Sequence, residues 1–66
     1  MKEKDKNFVM EKLGLDNDKF ENLLDEIKKM PEDGENCKEN FVKNLSENMN
    51  GRDSYEVRKI LLTRID

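Results

Sequence analysis

The chain has 66 residues, of which 44% are charged and 33% hydrophobic, and it carries a net charge of −3 at neutral pH. A chain this short forms one domain at most and buries only about 60% of the surface its unfolded form exposes, which leaves little material for a deep active-site cavity. Histidine is absent and cysteine occurs once, so Ser–His or Cys–His catalysis, a thiolate zinc site and an internal disulfide are excluded.

Apolar residues recur at helical spacing, and glycine or proline interrupts them at positions 14, 31, 34 and 51. No stretch shows the two-residue alternation of a strand. The pattern predicts an all-α fold, a small bundle of three to four short helices at about 5–13, 17–30, 37–49 and 54–65 with no sheet. Residues 1–66 read as a single small helical domain whose first few residues are frayed.

The first segment carries Phe8, Val9, Met10 and Leu13, with Gly14 placed as a C-terminal stop. Nine residues are too few to hold a helix without packing. In the second, Phe20, Leu23, Leu24, Ile27 and Met30 share about 120° of arc at roughly 100° per residue and form one core-facing stripe. Asp16 is expected as its N-cap, Leu15 and Phe20 as a hydrophobic staple, and Pro31 as its end.

The loop "PEDGE" leads to a third helix, which Asn36 is expected to cap, with Glu39 at the capping-box position. Cys37, Phe41, Leu45 and Met49 recur at every fourth residue, with Val42 beside them. Asn50 and Gly51 are expected to end this helix, and Asp53 with Glu56 to cap the next.

The fourth helix is the most apolar part of the chain. With Tyr55 at zero on a helical wheel, Leu62, Ile65, Leu61, Val57 and Ile60 span an arc of about 220°, twice what a single packing contact covers. Either several neighbours surround this helix, or part of it stays outside. Val57, Ile60 and Leu61 are the expected core. Tyr55 and Leu62, one heptad apart and flanked by Arg52, Arg58 and Lys59, are the expected outward ridge, a composition enriched at binding hot spots.

Other chemistry is weakly marked. Glu32, Asp33, Glu35 and Glu39 lack the ligand spacing of an EF-hand loop, so no metal and no cofactor are expected. Cys37 reads as a small apolar residue at the core margin, and Met10, Met30 and Met49 as core filling. Acidic residues concentrate at 16–39, which sums to −5, but Lys19, Lys28 and Lys29 interrupt them, as on an ordinary solvated face.

These readings lead to an expected non-enzymatic regulator acting by stoichiometric protein–protein binding, an inhibitor or modulator of a partner. The binding residues are Tyr55, Arg58, Lys59, Leu62 and Arg52. The partner is another protein or a second copy in a homodimer, and the size and charge-rich helices are in type those of short regulators of bacteria or their phages and mobile elements. The alternative is a small helical DNA-binding transcriptional regulator that uses the basic last helix. A mild net negative charge argues against nucleic acid as the partner, and no membrane is expected. The single cysteine and the lack of a leader or long apolar run in "MKEKDKNF" suggest the reducing cytoplasm.

Overall fold

Helix α1 spans Glu3–Leu13, α2 Asn17–Lys29, α3 Lys38–Leu45 and α4 Gly51–Thr63 in the computed structural model, which describes residues 1–63. No strand occurs among the described residues, so the fold is the all-α bundle that the periodicity predicts. The expected end of the last helix at 65, with Arg64 and Ile65, lies outside the described residues. Among those described, no helix is long and apolar enough to cross a membrane.

Local chemistry sets the first two helices. Gly14 takes φ 67°, a left-handed conformation open to glycine. Its N–H donates to the Glu11 carbonyl, while that of Leu15 donates to Met10 at 2.9 Å. The pair of bonds is a complete Schellman ending. Two residues on, the Asp16 side chain accepts from the Lys19 N–H at 2.8 Å and opens α2. Leu15 and Phe20 both pack into the core, as a staple across that cap does. The helix stops before Pro31, whose carbonyl accepts from the Lys38 N–H across the loop. Helix α1 itself begins at Glu3, two residues before the expected start, and Met1 lies partly buried against the core.

The second half departs from expectation at its boundaries. Cys37, not Asn36, occupies the N-cap of α3, with no side-chain capping bond. The loop is held instead by Asn40, whose side-chain amide donates to the carbonyls of Gly34 and Glu35. Helix α3 ends at Leu45 rather than near Met49 because Ser46 turns the chain. Its hydroxyl donates to the Val42 and Lys43 carbonyls at 3.1 and 3.3 Å and accepts from the Ser54 hydroxyl at 3.2 Å. A serine bonded to its own preceding turn bends or ends a helix. Ser46 is fully buried, and these bonds satisfy it there.

The cap of α4 moves correspondingly. Asn50 caps it in place of Asp53: the Asn50 carbonyl oxygen of the side chain accepts from the Asp53 N–H at 2.9 Å. The Asn50 amide donates back to the Asp53 carboxylate at 3.1 Å. The helix therefore starts at Gly51, three residues before the expected 54. Asp53 also receives the Lys12 ammonium at 3.1 Å, which ties the end of α1 to the first turn of α4.

The core takes Val9 from α1, Phe20, Leu23, Leu24 and Ile27 from α2, Val42 from α3, and Val57, Ile60 and Leu61 from α4. Helix α4 packs on both α3 and α1, whereas α2 and α3 touch over a smaller area. That arrangement accounts for the wide apolar arc of α4. Its flanks are covered by two neighbours, and Val57, Ile60 and Leu61 are at most 2% exposed. The radius of gyration is 11.0 Å, close to the roughly 11 Å of a folded chain this long.

Ile60→Ala is expected to lower unfolding free energy by about 2–5 kcal/mol, and Asn50→Ala by about 1 kcal/mol. Urea denaturation followed by far-UV circular dichroism reads both. An Asn50→Ala effect no larger than that of an exposed surface substitution would show that the α4 cap lies elsewhere.

Candidate protein-binding surface

Helix α4 presents positions 55, 58, 59 and 62 at the i, i+3, i+4, i+7 spacing that aligns side chains along one face. Because Val57, Ile60 and Leu61 fix its rotation against the core, this face is turned outward at its N-terminal end and lies at the core margin toward Leu62. Tyr55 is 61% exposed and stands out as the large hydrophobic residue left in solvent. Leu62 is half-buried and packs against the core. Between them the surface dips into a shallow depression of about 220 Å³, lined by Tyr55, Arg58, Lys59, Leu62 and Thr63.

Two cations shape this depression. The Lys59 ammonium lies 6.0 Å from the centroid of the Tyr55 ring, at the outer range of a cation–π contact. It leaves the ring edge and hydroxyl free to meet another surface. Arg58 is half-buried, and its Nε is fully buried without a hydrogen-bond partner. A buried N–H left unbonded costs about 1–3 kcal/mol, and the guanidinium fork it belongs to is suited to a carboxylate. Thr63 donates its hydroxyl to the Lys59 carbonyl and closes the far rim.

The structure thus brings Tyr55, Arg58, Lys59 and Leu62 together. Arg52, the fifth expected residue, is exposed in the first turn and does not line the depression. Asp53 is engaged by Lys12, so on this side of the helix the exposed charges of Arg52 and Lys59 are positive. The acidic loop residues do not converge, since Glu32 pairs with Lys38 at 3.1 Å. Among the described residues no group of three or more potential metal ligands is gathered. Cys37 is buried as expected of a residue at the core margin.

A second concavity was not visible in the periodicity. A groove of about 490 Å³ runs between α2 and α3, floored by Leu13, Leu15, Phe41 and Leu45 and walled by polar residues of α2. Phe41, Leu45 and Met49 read from sequence as the core stripe of α3 with Cys37, yet all three are only half-buried, and Val42 is the residue at 0% exposure. The signal that distinguishes the two is Ser46. Four residues after Val42, it marks the buried face, although its polarity conceals that role.

The chain matches no protein-family model, no curated protein and no solved structure.

Replacing Arg58 by Met keeps the apolar stem and removes the unpaired buried N–H. We expect Arg58→Met to raise stability by about 1 kcal/mol, seen as a higher urea midpoint at unchanged slope. A loss of stability would mean that the guanidinium is satisfied within the folded chain.

Proposed function

We propose that this chain is a non-enzymatic binding protein that inhibits or modulates a partner protein by stoichiometric contact through Tyr55, Arg58, Lys59 and Leu62 of α4. The observation that carries the reading is an exposed tyrosine beside an arginine that lines the same depression and has no hydrogen-bond or ion-pair partner among the described residues. Nε itself lies out of a partner's reach, but Arg58 lines the depression, where a partner's carboxylate can accept from the rest of its guanidinium. Tyrosine and arginine are also among the residue types that dominate binding energy at interfaces. The partner surface that fits is therefore a small apolar seat edged by Asp or Glu.

The test compares wild type with a Tyr55→Ala, Lys59→Glu double variant as baits in extract of the native host. Both substitutions fall on exposed side chains, so helicity is expected to be unchanged. Wild type should retain one protein near equimolar ratio, and the variant should lose it. Loss of a hot-spot tyrosine is worth about 2 kcal/mol, roughly thirtyfold in affinity, on top of the charge effect. Equal retention on both baits would remove α4 from the interface. A gel shift with random duplex DNA checks the competing use of the same cations: binding at low salt that falls steeply as salt rises would assign them to phosphate contact instead.

A further inference from the structure

The groove between α2 and α3 has a polar wall with an unusual order. On α2, Lys19, Asn22, Leu23 and Glu26 line it. They lie within about 100° of arc at roughly 100° per residue, on the flank of the helix next to the buried Phe20, Leu24 and Ile27, with Leu23 itself part of the core. The charges of this stripe reverse into their own complement. Turning the helix end for end about a point between Asn22 and Leu23 places Lys19 where Glu26 was, and Glu26 where Lys19 was. The same rotation exchanges Leu15 with Met30, the half-buried apolar residues at either end of α2.

We infer that this face is the interface of a homodimer, in which α2 packs antiparallel on α2 of a second copy. A two-fold interface must be complementary to itself, each residue meeting the same patch on the other chain. Here Lys19 faces Glu26 of the second copy and Glu26 faces Lys19, about 10 Å apart along the axis, with Asn22 of each copy opposite Leu23 of the other at the centre. The charges are available for this role. Both side chains are exposed, and neither forms an ion pair among the described residues. Parallel packing of the same stripe would set Lys19 on Lys19 and Glu26 on Glu26, so charge selects the antiparallel arrangement.

The apolar floor of the groove lies beside this stripe and adds a small apolar contact. Leu13, Leu15, Phe41 and Leu45 are all half-buried against the core, and the contact between α2 and α3 is smaller than those α4 makes with α1 and α3. A standard interface covers about 800 Å² per partner, a sizeable share of the 4868 Å² surface of this chain. The groove is only a small part of such an area, so the exposed faces of α2 supply most of the contact and a dimer of modest affinity is expected. This interface is separate from the α4 depression and stands or falls independently of it.

Sedimentation equilibrium from 10 μM to 1 mM, with concentrations chosen on the order of typical modest affinities, decides the matter. Wild type should move from its 7.9 kDa mass toward twice that value. Lys19→Glu and Glu26→Lys, each alone, should weaken association at least tenfold, and the combined Lys19→Glu, Glu26→Lys chain should recover it. The single changes place an acid in the first turn of α2 and a base toward its end, both favoured by the helix dipole, so a lost dimer cannot be put down to a weakened helix. Circular dichroism checks this. A monomeric wild type across the range overturns the inference. So does a dimer that ignores the single reversals, or one that the double reversal fails to restore. A dimer lost instead in Tyr55→Ala, Lys59→Glu would move the two-fold contact to α4 and overturn it equally.

Discussion

Three consecutive core positions on one helix, Val57, Ile60 and Leu61, hold this protein together. They sit on α4, the element that both α1 and α3 pack against, and none is more than 2% exposed. So small a chain has too few apolar residues to give each helix its own buried seam. It places its most apolar helix between neighbours instead. The positions of α1 and α3 follow from what α4 requires to be covered, and so does the face of α4 that remains outside.

Covering α4 in this way has a consequence on the opposite side of the molecule. Helices α1 and α3 are drawn to α4, and α2 closes the core through Phe20, Leu23, Leu24 and Ile27. Little apolar surface is then left with which to seal α2 against α3. Phe41 and Leu45 stay half-open for that reason. The exposed ridge and the open groove are thus two results of a single shortage, and both functional proposals rest on surface that this core leaves uncovered.

How much of this was legible in sequence depended on whether a feature is local. The Asp16 cap, the Gly14 stop and the α2 stripe are set by residues within a turn of each other, and each reads directly from spacing. The core trio of α4 was also legible as one side of its apolar arc, but the width of that arc left open whether neighbours surround the helix or part of it stays outside. The corner between α3 and α4 was not. Asn50–Asp53 and Asp53–Glu56 are equally good caps locally, and what chooses between them is Ser46, which ends α3 early and is buried by Ser54 from the next helix. A hydroxyl satisfied by another helix has no signature in local composition. The same holds at the candidate sites: the ridge of Tyr55, Arg58, Lys59 and Leu62 was readable from one helix, whereas the groove needs three elements to exist.

The ion pair of Lys12 and Asp53, small in itself as a partly exposed contact, marks a place where the two ends of the chain meet. The α3–α4 corner joins residues only eight apart and can assemble with little loss of chain freedom. Bringing α1 back to α4 closes a loop of about forty residues, which costs roughly 3 kcal/mol in the logarithmic part of the closure entropy alone. Folding order follows from this asymmetry. The second half of the chain is the natural nucleus, and α1, which is too short to hold its own helix, joins last and by docking onto a surface already formed.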